Sequence, residues 1–400
     1  MKLYPHQQAK IDRNTAKCLI PYGTGVGKTV TSLELAEKNN VQTLIICPKA
    51  QKKMWQENCL NYKEKHLVVT KEEFKRDFKL LARYNAIIVD ECHHFSGRSS
   101  DLTKALEKYI KVHNPKYIWL LTATPYRSTP WNIQRLATFL GRPMPYMEFM
   151  RKFFYEVQMG HKRIQMVKKN IEKDIADWVR ELADNDVVAM ADVVDVPEQT
   201  FETEYFELTD DQKNGISALE DSSFIARFTH THCIENGILN GDGYVGNQTF
   251  FCSKTFRIIQ LVGTNKKIAI VCRYNDQIEF YKKTFENLGI NKPIFIINGN
   301  TKDRHETVKQ IEEAEEAIVL IQSSCSEGYE LPSIGTIVFA SLSWSYLDYI
   351  QCQGRFLRIN KLKENRYIHL VVNGIDKDIY DCIMDKRDFD VAIYAKTNTE

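Results

Sequence analysis

Short apolar runs alternate along this chain with longer segments in which apolar residues recur every three or four positions. The apolar runs of the first half end in polar or turn-forming residues, as strands buried on both faces do. These runs are "KCLIPY", "TLIICP", "HLVVT", "AIIVDE" and "YIWLLTA". The segments between them are helical in period: "KTVTSLELAEKN", "AQKKMWQENCLN" and "SDLTKALEKYIK". The alternation predicts an α/β fold, a mostly parallel sheet with helices on both faces.

The same alternation returns in the second half, where the apolar runs are "KIAIVC", "IFIIN", "AIVLIQ", "GTIVFA" and "YIHLVV". Between the two halves we expect a helical, basic stretch from Phe149 to Asp186. A short extended segment, "VVDVPEQTFETEYFEL", follows it. We place a boundary near residue 195, which predicts two α/β domains, 1–195 and 196–400.

Charge is distributed unevenly although the chain as a whole is nearly neutral, at +2. Residues 1–195 hold 32 Lys and Arg against 22 Asp and Glu, and residues 196–400 hold 22 against 30. The first half is therefore the better candidate for contact with a phosphate backbone. Two domains with differently charged surfaces would explain the same numbers.

The ten cysteines occur singly, and several, such as Cys47 and Cys272, lie in strand-like runs. This usage is typical of reduced, buried thiols in a cytosol. The N-terminus "MKLYPHQQAK" has no apolar signal core, and no apolar run approaches the roughly 20 residues of a membrane helix. We expect a cytoplasmic protein with no membrane contact.

The segment "LIPYGTGVGKTVTSLELA" has the order strand, glycine-rich turn, helix. Its glycines let backbone amides turn toward a polyphosphate without side-chain clashes. Lys28 can reach the β- and γ-phosphates, and the Thr29 hydroxyl can ligate Mg²⁺. The generic pattern has glycine where Tyr22 stands, five residues before Gly27. The turn predicts an ATP site that comprises Gly23, Thr24, Gly25, Val26, Gly27, Lys28 and Thr29.

The run "IIVDECHHF" is typical of the end of a buried strand, followed here by polar residues. In a phosphate-loop fold, ligands bind at the carboxyl ends of parallel strands. We therefore predict that Asp90 holds Mg²⁺ through water and that Glu91 orients and deprotonates the attacking water. A zinc site is the alternative interpretation of this run. However, Cys92, His93 and His94 point alternately to opposite sides of an extended chain, so they cannot easily converge on one ion.

A second candidate for zinc lies in the other half of the chain. His230, His232 and Cys233 fall within four residues, and Cys252 follows later. The spacing is poor for a tetrahedral site, and a helix is expected through this segment.

These motifs, in this order, resemble those of a superfamily 2 helicase. "DECH" is a DExH box, and "LYPHQQ" looks like the adenine-reading Gln motif. "LIICPKAQKKMW" resembles motif Ia, "LTATP" motif III, "SSCSEGYELP" motif V and "QCQGRFLR" motif VI. The set covers nearly the whole chain. "LTATPYRSTPWNIQRLATFLGRPM" and "LSWSYLDYIQCQGRFLRI" look like the Swi/Snf-like branch, in its compact bacteriophage-type form.

The resemblance implies two tandem RecA-like lobes with ATP in the interlobe cleft. It implies that Gln7 reads the adenine, that Gln351 lies near the γ-phosphate or the attacking water, and that Arg355 and Arg358 act as arginine fingers. Two residues of motif V would face the nucleotide from the second lobe, Gly328 and Glu330. The family has aspartate or asparagine at the second of these positions.

The resemblance also implies residues that couple ATP hydrolysis to movement, namely His93, Thr122 and Thr124. Candidates for sugar–phosphate contacts are Lys49, Thr70, Lys71, Thr301, Ser323, Ser324 and Trp344. Such contacts carry no sequence information and weaken with salt. The basic stretch could extend this track, or it could be a solvated helix face: Arg151, Lys152, Lys162, Arg163, Lys168, Lys169 and Lys173.

The resulting hypothesis is an ATP- and Mg²⁺-dependent motor that moves along duplex DNA without sequence specificity, in the host cytosol if encoded by a phage. A strand-separating or branch-migrating helicase is the alternative within the same class, with the loop "ENGILNGDGYVG" as its candidate wedge. An RNA helicase is a further alternative. A nucleotide-gated DNA-binding module with little turnover is the alternative of another class. Protein partners are not predicted.

Overall fold

The computed structural model describes residues 3–97, 100–126, 129–159, 162–189, 192–193, 198–219, 223–239, 248–325, 329–357 and 364–389. The chain divides into two compact units, Met1–Asp195 (unit 1) and Val196–Glu400 (unit 2).

Unit 1 contains a five-stranded parallel sheet with the strand order β1-β5-β4-β2-β3. Its strands are β1 (Lys17–Ile20), β2 (Thr43–Cys47), β3 (Leu67–Thr70), β4 (Ala86–Val89) and β5 (Tyr117–Leu121). Its helices are α1 (Pro5–Arg13), α2 (Lys28–Lys38), α3 (Lys52–Cys59), α4 (Lys71–Asp77), α5 (Asp101–His113), α6 (Trp131–Phe139), α7 (Tyr146–Phe153) and α8 (Glu172–Leu182). An antiparallel hairpin lies between the last two helices, β6 (Phe154–Met159) and β7 (Lys162–Val167).

Both faces of this sheet are buried, which explains why its strands are continuously apolar. Ile87 and Val89 of β4 belong to a core cluster with residues of α4 to α8. Ile88, between them, belongs to a second cluster with residues of α1 to α3. Successive strand residues point to opposite faces, so a sheet covered on both sides needs apolar residues at every position.

Unit 2 contains a six-stranded parallel sheet with the order β12-β13-β11-β14-β15-β8. Its strands are β8 (Gln199–Phe206), β11 (Lys267–Cys272), β12 (Ile294–Ile297), β13 (Ala317–Gln322), β14 (Thr336–Phe339) and β15 (Asn365–Val372). A small antiparallel pair is formed by β9 (Ile238–Leu239) and β10 (Gln248–Thr249). The helices are α9 (Asp210–Ser217), α10 (Phe224–Glu235), α11 (Thr255–Thr264), α12 (Asn275–Asn287), α13 (Arg304–Glu313), α14 (Tyr346–Gly354) and α15 (Ile375–Met384). Core clusters again cover both faces of the sheet.

The predicted fold class is confirmed: two α/β units, each with a parallel sheet and helices on both faces, as in tandem RecA-like lobes. The extended segment predicted between the halves is β8, which pairs with β15 at the edge of the unit 2 sheet. No helix in the described ranges is long and apolar enough to cross a membrane.

The prediction of a helical stretch from Phe149 to Asp186 is wrong in its middle. The chain there leaves α7 and forms the β6–β7 hairpin before it enters α8. Within these strands, "YEVQM" and "RIQM" alternate polar and apolar residues with period two, which favours strands over a helix. That alternation was the signal available in the sequence.

Candidate active site

The glycine-rich turn between β1 and α2 lies at the carboxyl edge of the unit 1 sheet. Gly25 and Gly27 have φ angles of 79° and 89°, in the left-handed region that favours glycine. A Cβ atom at Gly27 would clash with the side chain of Gln7. The turn leads directly into α2 at Lys28. Backbone amides at such a helix start are suited to phosphate oxygens.

The amino end of α1 is bonded to this turn. Gln7 is buried, and its Nε2 donates to the carbonyl of Gly27 at 3.3 Å. The His6 Nε2 lies 3.1 Å from the Val26 carbonyl oxygen. The residue predicted to read adenine therefore lies against the phosphate loop. Its Oε1 accepts from the backbone of Tyr4 at 2.9 Å, which fixes its orientation.

Lys28 folds its ammonium group back over the loop. Its Nζ donates to the carbonyl oxygens of Tyr22 and Gly23, at 3.0 and 3.1 Å. These are neutral acceptors, and an ammonium group forms stronger charge-assisted bonds with phosphate oxygens. The lysine is therefore placed so that a polyphosphate on the loop would compete for it.

Tyr22, the departure from the generic pattern, has a fully buried side chain. Its hydroxyl donates to Asp186 Oδ2 at 2.9 Å, and its ring packs edge-on to His6. Burial first, and then the Asp186 carboxylate, raise the pKa of this hydroxyl well above its ordinary value. The bulky side chain is thus anchored among other parts of unit 1, and its carbonyl serves Lys28.

Asp90 and Glu91 follow β4 at the same edge of the sheet, and both are buried. Asp90 Oδ2 accepts from the indole Nε1 of Trp55 at 2.8 Å, and Oδ1 accepts from the backbone of Glu91 at 2.9 Å. Glu91 adopts the left-handed conformation, with φ 46° and ψ 51°. The chain then turns into a short 3₁₀ helix, Cys92–Phe95, which separates the two carboxylates from the residues that follow.

His93 connects the end of β4 to the end of β5. Its Nδ1 lies 3.0 Å from Thr122 Oγ1 and 3.3 Å from Glu91 Oε2. The hydroxyl of Thr122 also accepts from the backbone of Thr124 at 3.0 Å. The structure therefore brings the three predicted coupling residues into one chain of contacts with the predicted base.

The strand order places these groups near the phosphate loop, because β5 lies between β1 and β4. Burial raises the pKa of the Cys92 thiol, Glu91 and Asp90 raise it further, and the charge of Lys28 lowers it. Lys28 and the two carboxylates therefore act on the same thiol. The Thr29 hydroxyl and the Asp90 carboxylate are oxygen donors of the kind that Mg²⁺ prefers, so the predicted donor set fits the ion.

Two predicted residues of unit 2 lie at the end of α14. Gln351 and Arg355 are both buried, with 4 % and 5 % exposure. The carbonyl of Arg355 accepts from the backbone of Leu331 at 2.9 Å, which joins motif VI to motif V. Glu330, next to Leu331, is exposed. Gly328 and Arg358 lie outside the described residues, as does most of the loop "ENGILNGDGYVG".

The predicted nucleic-acid contacts of unit 1 lie just after strands. Lys49 is exposed at the start of a 3₁₀ turn after β2. Thr70 is buried and caps α4, since its hydroxyl accepts from the backbone of Glu73 at 3.1 Å. Lys71 is the partly exposed first residue of that helix. The hydroxyl of Thr70 therefore already has a structural partner.

The predicted contacts of unit 2 also lie at the carboxyl edge of their sheet. Thr301 closes the turn after β12, where its hydroxyl donates to the Ile296 carbonyl at 3.0 Å. Ser323 is buried and Ser324 exposed after β13. Trp344 packs among aromatic side chains, and the Arg273 guanidinium lies 4.0 Å from its ring centroid.

The basic stretch of the sequence is distributed over α7, the hairpin and the start of α8. The exposed cations with described side chains are Arg151, Arg163, Lys168, Lys169 and Lys173. Tyr155 and Met166 lie opposite each other on one face of the hairpin and are 42 % and 44 % exposed. The hairpin thus presents an aromatic side chain among basic residues.

His232, from the second candidate zinc site, belongs to a buried hydrogen-bond network in unit 2. His232 lies 2.6 Å from the Tyr274 hydroxyl and 3.2 Å from Asp376 Oδ1, and Asp376 Oδ2 bonds to Lys254 at 2.7 Å. Burial lowers the pKa of His232. Within the described ranges, no group of three or more His, Cys, Asp or Glu side chains could hold a metal ion.

Sequence reasoning missed two partners of the site. Trp55 fixes the Asp90 carboxylate, and its signal was the tryptophan that ends the motif Ia segment in a polar helix. Lys10 is fully buried, and its Nζ lies 3.7 Å from Asp186, which accepts from the Tyr22 hydroxyl. A lysine in a first helix carries no sequence signal of burial.

Two family models match parts of the chain. Residues 39–127 match the type III restriction enzyme res subunit, and residues 253–360 match the helicase conserved C-terminal domain. The first match covers motif Ia, the DExH box and motif III, and the second covers motifs V and VI. The matched segments fall one in each unit.

Two curated relatives are named as helicases. Helicase 109L of Invertebrate iridescent virus 3 is 25 % identical over 170 residues, which are 36 % of this chain and 50 % of that protein. An ATP-dependent helicase of Mycoplasma pneumoniae is 21 % identical over 323 residues, which are 77 % of this chain and 30 % of that protein. The chain thus spans half or less of the length of these relatives.

Two solved structures are similar to this chain. The helicase domain of Pyrococcus furiosus Hef superposes with a TM-score of 0.53 at 14 % identity, covering 95 % of this chain and 97 % of that domain. The SWI2/SNF2 ATPase core of Sulfolobus solfataricus, solved in complex with dsDNA, gives 0.42 at 18 % identity, with 96 % and 91 % covered. The first of these likenesses supports the fold alone.

Proposed function

The chain belongs to the superfamily 2 helicases, and we propose that it is an ATP-dependent motor that moves along duplex DNA. One arrangement carries the proposal. The buried Glu91, in a left-handed backbone conformation, follows Asp90 at the edge of the sheet that also carries the phosphate loop. Such a conformation costs a non-glycine residue about 1–3 kcal/mol, and such costs cluster at active sites.

Each group of unit 1 has a role in this proposal. The loop amides and Lys28 bind the β- and γ-phosphates, and Thr29 and Asp90 hold Mg²⁺, which neutralises phosphate charge when bound. Glu91 accepts a proton from the attacking water. The water oxygen bonds to the γ-phosphorus as the bond to the ADP oxygen breaks, and ADP leaves with that electron pair.

The roles in unit 2 rest on the family resemblance. Arg355 and Arg358 neutralise charge that develops on the transferred phosphoryl group, and Gln351 contacts the water or the γ-phosphate. Gly328 and Glu330 contribute to the nucleotide site from motif V. Hydrolysis then changes the affinity of the exposed contacts, such as Lys49 and Ser324, for the DNA backbone.

We also propose duplex DNA as the track and the cytoplasm as the compartment. The Swi/Snf-like motifs and the basic balance of residues 1–195 support the first. The ten cysteines, all free thiols, support the second.

The deciding experiment measures ATP hydrolysis with no nucleic acid, with duplex DNA, with single-stranded DNA and with RNA. We expect duplex DNA to stimulate hydrolysis most. Glu91→Gln should lose at least about a hundredfold in kcat, because the general base is removed. It should still bind a fluorescent ATP analogue, because Lys28 and the loop remain.

Two outcomes would contradict the proposal. Wild-type turnover no higher than that of Glu91→Gln would favour a nucleotide-gated binding module. Stimulation by single-stranded DNA or RNA alone would exclude the duplex track.

A further inference from the structure

Tyr22 occupies the position at which the phosphate loop departs from the generic glycine, and it contacts two different parts of unit 1. Its backbone carbonyl accepts from Lys28, the residue that faces the nucleotide in the proposed function. Its hydroxyl donates to Asp186, which lies 164 positions further along the chain. A glycine at this position could make the first contact but not the second.

Gly23 also contacts both Lys28 and the segment after α8, through its backbone atoms. Its carbonyl also accepts from Lys28, at 3.1 Å, whereas its amide donates to the Val188 carbonyl at 2.8 Å. Tyr22 and Val188 form a parallel β-bridge. The first residues of the loop are thus paired with residues 186–188, which follow α8 and precede the end of unit 1 at Asp195.

Lys10 of α1 contacts the same segment. Its side chain is fully buried, and its Nζ donates to the Ala183 carbonyl at 3.0 Å. It also lies 3.5 Å from Asp184 and 3.7 Å from Asp186. A buried ion pair adds little net stability. It does fix one arrangement of its partners, because separating them leaves an uncompensated charge in the interior.

We propose that Tyr22 and Asp186 position the phosphate loop and transmit its occupancy to residues 183–188. When phosphate oxygens draw Lys28 away, the carbonyls of Tyr22 and Gly23 lose their donor. The loop can then move only together with residues 183–188, because the Tyr22 hydroxyl and the Gly23 amide remain bonded to that segment. This inference rests on the proposed nucleotide binding and adds a positioning role that the family pattern does not require.

The test compares Tyr22→Phe with Tyr62→Phe in the full chain. The Tyr62 hydroxyl donates to Glu34 at 3.1 Å, so its variant removes a hydrogen bond of the same kind elsewhere in unit 1. We expect Tyr22→Phe to raise the Kd for a fluorescent ATP analogue by up to about tenfold, the limit set by the cost of one bond to a charged acceptor. Tyr62→Phe should leave that Kd within about twofold of wild type.

Hydrogen exchange gives the readout that a merely structural role would not move. In the wild type, the ATP analogue should slow amide exchange in residues 183–188. In Tyr22→Phe at saturating analogue, the exchange of these residues should not slow. Asp186→Asn, which keeps an acceptor for the hydroxyl, should retain part of the effect. An equal Kd for Tyr22→Phe and wild type would overturn the inference. So would equal amide exchange rates of residues 183–188 in the wild type with and without the analogue.

Lys28→Ala separates this inference from the proposed function. If the wild type binds the analogue, Lys28→Ala does not, and Tyr22→Phe binds like the wild type, the inference alone fails. If the wild type itself binds no analogue, both fail.

Discussion

Glu91 shows how much of the site depends on single residues. Its backbone lies in the left-handed region, its carboxylate is buried, and His93 lies 3.3 Å from it. The neighbouring Asp90 is oriented separately, by Trp55 and by the Glu91 amide. Two adjacent carboxylates therefore have different surroundings, which allows one to serve a cation and the other a proton.

A single methyl group at Gly27 should weaken nucleotide binding. The φ of Gly27 is 89°, and a Cβ would clash with Gln7, which must then give up its bond to the Gly27 carbonyl. We expect Gly27→Ala to weaken binding of an ATP analogue by at least about tenfold, from left-handed strain of roughly 1–2 kcal/mol plus the clash. A fluorescence titration measures it.

Gly263 offers the matched control. It lies in α11, with open space where its Cβ would be. Gly263→Ala should bind the analogue like the wild type. Equal affinities for Gly27→Ala and Gly263→Ala would show that the loop does not carry the nucleotide.

At the scale of elements, the β6–β7 hairpin is the feature to which the proposed ATP site assigns no role. An isolated two-stranded hairpin is marginally stable, so its base must be held. Phe154 is buried against Phe149 and Trp131, with ring centroids 5.4 and 6.0 Å away. The Lys168 amide donates to the Phe153 carbonyl at 2.9 Å. The exposed side chains of the hairpin, among those that the structure describes, are Tyr155, Glu156, Gln158, Arg163, Gln165 and Met166.

Neutralising cations around the hairpin should weaken DNA binding if the basic stretch extends the DNA track. Residues 151–173 hold seven Lys and Arg against two Asp and Glu. We expect the triple variant Arg151→Gln, Lys169→Gln and Lys173→Gln to lower affinity for duplex DNA. The slope of log K against log salt should become shallower by roughly 0.9 for each phosphate that the variant no longer neutralises. Fluorescence anisotropy at several salt concentrations measures both.

An equal change of charge on α5 is the control. Lys104, Lys108 and Lys111 are exposed on that helix, and their replacement by Gln removes the same charge from unit 1. If both triple variants bind duplex DNA equally weakly, the hairpin has no special part in the track, and only the net charge of the unit matters.

At the scale of the whole molecule, folding stability depends on ionisable groups that each unit buries. His369 of β15 is buried, with its Nε2 2.9 Å from the Tyr349 hydroxyl and its Nδ1 3.4 Å from the Glu202 carbonyl. Burial lowers the pKa of His369 from 6.5 to about 4. The folded state therefore binds fewer protons than the unfolded state between these two values.

The sign of the pH dependence follows from this difference. As the pH falls from 6.5 toward 4, the unfolded state gains protons that the folded state excludes, so His369 should cost up to about 3 kcal/mol of unfolding free energy. His369→Gln should remove this component. The measurement is the difference in unfolding midpoint between wild type and variant at each pH.

Groups that titrate in both proteins contribute equally to both unfolding midpoints, so their contributions cancel in this difference. One is Glu235, whose pKa burial raises to about 8. A profile for His369→Gln parallel to that of the wild type would contradict the prediction.

The sequence by itself determined the strands of the two parallel sheets and the motif order. Strands buried on both faces must be apolar at every position, so "TLIIC" and "AIIV" stand out without knowledge of their neighbours. The loop from Gly23 to Thr29 is likewise local, because glycine freedom, a lysine and a helix start act within a few residues. The helicase resemblance rests on such local signals, and for that reason the order of residues along the chain is enough to recognise it.

The tertiary structure alone decided what joins distant residues. Tyr22 is only a departure from the loop pattern until Asp186 is placed against it, and Asp90 gains its partner Trp55 from 35 positions away. Thr70 and Thr301 have structural roles that their motifs do not predict, and the middle of the basic stretch is a hairpin. The reason is physical: hydrogen bonds and ion pairs depend on distances in space, and only the folded chain sets those distances.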